Sequence, residues 1–163
     1  MNARKCSRVL LWIAFIFYAC VVFSILFLGG RGGIFPDESF WDYADHSVSL
    51  IPFKTIWTYV TDVMEQRWML GLAVRNVFGN FILFYPMGIF LPCLFRNMRK
   101  LPRTVLFSFC TILAVEIVQL LLRRGIFDID DLILNMAGWI LGYLTLSIPF
   151  IRKAMIKMYF WEV

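Results

Sequence analysis

The chain has 163 residues, of which 61% are hydrophobic and 18% aromatic, and its mean hydropathy is +0.75. That composition excludes a soluble domain of ordinary make-up, because so short a chain lacks the polar surface to cover its apolar runs. The formal net charge of +5 is not a nucleic-acid footprint: the cations cluster beside apolar runs, the pattern of membrane topology and of affinity for anionic lipid.

Crossing the hydrocarbon layer as helix takes about 20 apolar residues. Four runs meet that length: about 9–28, 77–95, 105–122 and 132–151. The expected fold is therefore all-α, a polytopic membrane protein built as one bundle of four transmembrane helices. The first run follows Arg4, Lys5 and Arg8. It is longer than a typical signal-peptide core, and Leu26-Phe27-Leu28-Gly29 has no small-x-small cleavage pattern, so it reads as an uncleaved anchor. Gly29, Gly30, Gly32 and Gly33 then release the chain into a long loop.

Within that loop Pro52 interrupts an apolar knot, and from Lys54 to Leu72 the residues Ile56, Tyr59, Val60, Val63 and Met64 recur at helical spacing. With Trp57 and Trp68 nearby, the segment reads as an amphipathic helix resting on the bundle at headgroup level. The second run carries Pro86 and Pro92, each of which removes a backbone hydrogen bond. The fourth carries Gly138 and Gly142, four apart, a stripe that lets another helix backbone approach.

Basic residues in short connections stay cytoplasmic. Arg4, Lys5 and Arg8, then Arg96, Arg99, Lys100 and Arg103, then Arg152, Lys153 and Lys157 account for ten of the sixteen cations. Both termini are thus expected in the cytoplasm of a cell-membrane protein, with the loop after the first run outside. Cys20, Cys93 and Cys110 fall within apolar runs and read as packing thiols, and His46 as a surface loop residue. No Cys/His spacing suggests a metal, and no cofactor is expected.

Polar side chains within a membrane span are costly and tend to mark function. Glu116 and Gln119, with Arg123 four residues further on, share one helical face. Arg75 and Asn76 open the second run, with Asn80 one turn deeper. Arg124, Asp128, Asp130 and Asp131 precede the fourth run, and Asn135 lies one turn below Asp131. Under the expected orientation all of these lie in the outer half of the membrane, and opposite charges among them should pair, since lone buried charge is expensive. They form a candidate binding cluster in which arginines and amides hold a polar or anionic headgroup. Two other readings stay open. In one, Asp128, Asp130, Asp131 and Glu116 hold a divalent cation that acts on a lipid-linked diphosphate. In the other, the glycine stripe docks a second membrane protein.

The segments Asn76-Val77-Phe78-Gly79-Asn80, Phe84-Tyr85-Pro86-Met87-Gly88, Glu116-Ile117-Val118-Gln119 and Phe127-Asp128-Ile129-Asp130-Asp131-Leu132-Ile133-Leu134-Asn135 with Gly138, together with Ile51-Pro52-Phe53 before them, resemble the VanZ-like family in content and order. The resemblance implies a bacterial multi-pass membrane protein, related to one that gives low-level resistance to the glycopeptide teicoplanin. It also implies that the family's arginine near the aspartates is Arg123 or Arg124. Residues and resemblance together point to a non-enzymatic envelope protein whose partners are membrane lipids or a lipid-linked cell-wall intermediate, with homo-oligomerisation left open.

Overall fold

The computed structural model describes residues 3–29, 39–65, 70–158 and 160. The chain is built of helices α1 (Ala3–Phe23), α2 (Phe40–His46), α3 (Lys54–Glu65), α4 (Leu70–Leu94), α5 (Leu101–Leu121), α6 (Ile129–Thr145) and α7 (Pro149–Lys157). A π-helical turn, Ser24–Leu28, continues α1, and a 3-10 turn, Arg96–Arg99, links α4 to α5. Among the described residues, three stretches are long and apolar enough to cross a membrane: Ala3–Leu28, Ala73–Leu94 and Leu101–Leu121. Helices α6 and α7, bent by 72° across the short break between them, make a fourth only if the pair is taken as one span. This is an all-α membrane protein, apart from one pair of two-residue strands among the described residues.

The fourth run ends earlier than its hydropathy suggests. Pro149 is the first residue of α7, and a proline disfavours helical backbone at the residue before it. The straight segment is therefore α6 alone, 17 residues or about 26 Å, near the lower limit for a span. The second run starts earlier than expected, at Leu70, and keeps Pro86 and Pro92 inside one 25-residue helix. Of the loop helix expected from Lys54 to Leu72, the structure describes Lys54–Glu65 as α3 and gives 70–72 to α4; 66–69 lie outside the described residues. Gly30, Gly32, Gly33 and Trp68 lie outside the described residues.

Lipid gives helices no hydrophobic reason to associate, so close packing has to hold the bundle. The tightest seam joins α4 and α6. A Cβ added at Gly138 would fall 1.9 Å from the Phe81 carbonyl oxygen, and one at Gly142 would fall 2.0 Å from that of Tyr85. From the other side, a Cβ at Gly88 would fall 2.0 Å from the Trp139 carbonyl oxygen. The glycine stripe is thus filled from within the chain, which leaves that face no room for a second protein. Beside it, fully buried Trp139 stacks on Phe84 at 6.2 Å and meets Phe107 of α5 edge-on at 6.0 Å. Helix α1 lies against α4 through Tyr18, whose hydroxyl donates to the Leu83 carbonyl and whose ring packs on Phe90. Among the cysteines Cys93 is buried, whereas Cys20 and Cys110 are exposed rather than packed.

Candidate functional site: a polar cleft at the loop end of the bundle

Four segment ends meet at one end of the bundle: the close of the first span, the start of α4, the close of α5 and the start of α6. Long-range bonds lock the loop onto them. Strand β1 (Val48–Ser49) pairs in parallel with β2 (Phe127–Asp128), in the register Val48 to Phe127 and Ser49 to Asp128. The Phe127 amide donates to the Ser47 carbonyl at 2.9 Å, and the Tyr43 hydroxyl donates to the Gly125 carbonyl at 2.7 Å. Arg123 turns the chain after α5 in the left-handed region, with φ 53°, and its guanidinium lies 5.8 Å from the centre of the Tyr43 ring, a cation–π arrangement.

The aspartates divide the work. Asp128 caps α6, its carboxylate accepting from the Asp130 amide at 2.9 Å. Such a cap satisfies one of the amides a helix start leaves open. Asp130 is 1% exposed and caps a different helix. Its Oδ1 accepts from the Phe53 amide, and its Oδ2 from the amides of Thr55 at 2.9 Å and Ile56 at 3.1 Å. These charge-assisted bonds fix the start of α3. They also offset the cost of Phe53, whose φ of 63° is left-handed and costs about 1–3 kcal/mol in a bulky residue. Asp131 accepts from the side-chain amide of Asn80 on α4. The three carboxylates thus serve three elements, and among the described residues no group of three or more His, Cys, Asp or Glu is placed to hold a metal ion.

Between these elements lies a cleft of about 630 Å3. Of the residues singled out in the sequence, Arg75, Asn76, Asn80, Gln119, Asp128 and Asp131 line it. Asn76 donates to the Tyr59 hydroxyl at 2.6 Å, joining α4 to α3. Gln119 donates to the Leu26 carbonyl at 2.9 Å, joining α5 to the π-helical turn. The others sit apart from the cleft surface. Glu116 and Asn135 are buried in the bundle at 3% and 2% exposure, Asp130 is sealed under α3, and Arg123 and Arg124 lie in the turn after α5. Asn80 is ten residues into α4, about 15 Å from its start and deeper than one turn.

The loop contributes residues that sequence reasoning did not place here: His46, Ser49, Lys54, Thr55, Thr58 and Tyr59. Thr55, Thr58 and Tyr59 fall at i, i+3 and i+4 on α3, the spacing that sets side chains on one face. That spacing was the available signal, overshadowed by the apolar positions between. His46 is exposed at the end of α2, and it also lines the cleft. Cations from α3 and α4, amides from α4 and α5, and hydroxyls from α3 therefore converge on one space. Such a set can hold an anion and hydrogen-bond the hydroxyls around it.

A family model described as VanZ/LLP1 matches residues 15–151. Protein VanZ from Enterococcus faecium is 29% identical over 106 residues, a match covering 64% of this chain and 55% of that protein. The chain thus spans little more than half the length of that relative. No solved structure matches it. The matched stretch contains α4, α5, α6 and every cleft residue named above, and the chain belongs to the VanZ/LLP1 family.

Proposed function

We propose that this protein binds the anionic, polar headgroup of a lipid or of a lipid-linked cell-wall intermediate in the cleft, at the outer face of the cell membrane, without chemistry on it. The observation that carries the reading is the lining of the cleft: Lys54 and Arg75 beside the amides of Asn76 and Asn80 and the hydroxyls of Thr55, Thr58 and Tyr59. A guanidinium offers a planar fork that matches phosphate, and an ammonium adds a point charge. Asp128 already accepts from an amide; its remaining lone pairs suit the hydroxyls of glycerol or a sugar.

The orientation belongs to the same proposal. Ten cations stand at the terminus-bearing end or in the α4–α5 connection, at the opposite end of the spans from the cleft. The rule for short cytoplasmic loops puts both termini inside and the cleft outside. Helix α3 then lies amphipathically on the outer boundary. Its exposed Trp57, Val60 and Met64, at 69%, 44% and 81%, form a row with Phe53 at 61%, spaced to meet acyl tails on one side. A headgroup held there, in place of the cell-wall target it resembles or belongs to, would lower susceptibility to glycopeptides such as teicoplanin.

The test is the lipid that purified protein carries. Mass spectrometry of wild-type protein is expected to find an anionic lipid enriched over bulk membrane composition, and Lys54→Gln with Arg75→Gln should return the carried lipid to bulk composition. Unchanged enrichment in that double variant would refute the reading. In cells, Asp128→Asn and Asn80→Ala, at normal expression, should abolish any rise in teicoplanin resistance conferred by the wild type.

A further inference from the structure

Helix α7 leaves the bundle at the end opposite the cleft. It turns 72° from α6, so its nine residues, about 14 Å of helix, advance only about 4 Å along the axis of α6 and run about 13 Å sideways. Since α6 alone covers about 26 Å, close to what a span needs, α7 emerges at the membrane boundary and runs along it. Its sequence suits that place. At about 100° per residue, Phe150, Ile151, Ala154, Met155 and Met158 fall within one arc of about 140°, Arg152 and Lys153 point away from that arc, and Lys157 sits on its border. Part of the apolar side is covered, because Met155 packs with Phe160 on Leu11, Leu94 and Leu146. The rest is open, with Phe150 80% and Met158 46% exposed. Arg152, Lys153 and Lys157 are exposed as well, on stems long enough to reach headgroup level from a helix seated at the boundary.

The charge around α7 says what covers it. Leu94, on which Met155 packs, lies two residues before Arg96, and the Tyr143 hydroxyl near the end of α6 donates to the Arg99 carbonyl at 2.6 Å. The basic turn between α4 and α5 is thereby tied to the same end of the bundle as α7. Of the eleven acids in the chain, ten lie in 37–65 or 116–131, and the eleventh, Glu162, is outside the described residues. No acid among the described residues stands at this end. An apolar strip alone would accept many covers; beside a basic surface of this kind it matches an anionic amphiphile layer, which supplies acyl chains below and negative charge above. We infer that α7 is an in-plane anchor that binds the anionic phospholipid headgroups of the leaflet at this end, its Phe150 and Met158 side sunk among the acyl chains. This surface is separate from the cleft and stands whether or not the cleft holds a headgroup.

The test is hydrogen exchange of the full chain in nanodiscs, whose two leaflets have the same composition, so that orientation does not enter. Replacing about a third of neutral phosphatidylcholine by phosphatidylglycerol should slow exchange of amides 152–158 at least about tenfold, and about 0.5 M salt should reverse the slowing. Arg152→Gln, Lys153→Gln and Lys157→Gln together should abolish it, whereas Arg152→Lys with Lys153→Arg and Lys157→Arg, which keep the charge, should preserve it. Lys54→Gln with Arg75→Gln should also preserve it, because those cations line the cleft. Equal exchange in the two lipids, or slowing lost with the two cleft cations, would overturn the inference. So would equal slowing by glycerol phosphate added to neutral nanodiscs, which would make α7 a site for soluble anions instead of a lipid surface. The wild-type comparison across lipids and salt decides the matter even where the triple glutamine variant fails to fold.

Discussion

Replacing Asp130 with asparagine separates the anchoring of the loop from the stability of the bundle. The carboxylate receives three backbone amides, one on Oδ1 and two on Oδ2. In Asp130→Asn an NH2 group takes the place of one oxygen. Turning the amide oxygen toward Thr55 and Ile56 sets that NH2 against the Phe53 amide; the opposite rotamer opposes two donors instead. At least one buried donor is left unsatisfied, at a cost of about 1–3 kcal/mol, and the remaining bonds lose their charge, each having contributed about 1.5–3 kcal/mol. The strained Phe53 backbone adds to the drive to open. The start of α3 should therefore lose about 3–4 kcal/mol of local stability, and since about 1.4 kcal/mol is tenfold, amides 53, 55 and 56 should exchange with solvent at least about 100-fold faster. Hydrogen exchange read by mass spectrometry is the assay. Amides around Trp139 and Phe84 should hold their protection, because that seam makes no use of Asp130. Unchanged exchange at 53–56, or equal loosening throughout the bundle, would refute the reasoning.

Four further outcomes are expected. Gly138→Ala puts a Cβ 1.9 Å from the Phe81 carbonyl oxygen, so α4 and α6 must part; thermal unfolding in detergent should show a loss of about 1–3 kcal/mol. Gly71→Ala, where a Cβ would meet nothing within 4 Å, should be neutral or stabilising by up to about 1 kcal/mol. Asn80→Leu removes the donor that Asp131 accepts from and should cost about 1–3 kcal/mol, together with anion binding in the cleft. Cys6, near the start of α1, should resist a membrane-impermeant maleimide in intact cells and react once the membrane is opened; labelling in intact cells would reverse the proposed orientation.

What the sequence made legible follows from which rules are local. The hydrocarbon layer imposes length and apolarity on each run, so the first, second and third runs stand close to where hydropathy puts them. The fourth is cut short because Pro149 is a backbone constraint that a hydropathy average does not register. The costliness of polar groups in lipid picked out Asn80, Gln119 and Asp131, and these line the cleft. The same rule could not separate cleft surface from bundle interior, where Glu116 and Asn135 are buried. That Asp130 caps α3, 74–77 residues earlier, is a long-range pairing with no periodic trace. The glycine pair on α6 was visible at its four-residue spacing, whereas Gly88 on α4 has no small partner in register and shows its role only against Trp139.

The central claim is that Lys54 and Arg75 make the cleft an anion-binding headgroup site. Calorimetric titration of the purified protein, in nanodiscs of neutral phosphatidylcholine, with glycerol phosphate tests it most directly. Saturable binding at one site per chain, weakened by salt and lost in Lys54→Gln with Arg75→Gln, is the expected result. Absence of saturable binding to the wild type, or equal binding by the double variant, would contradict it.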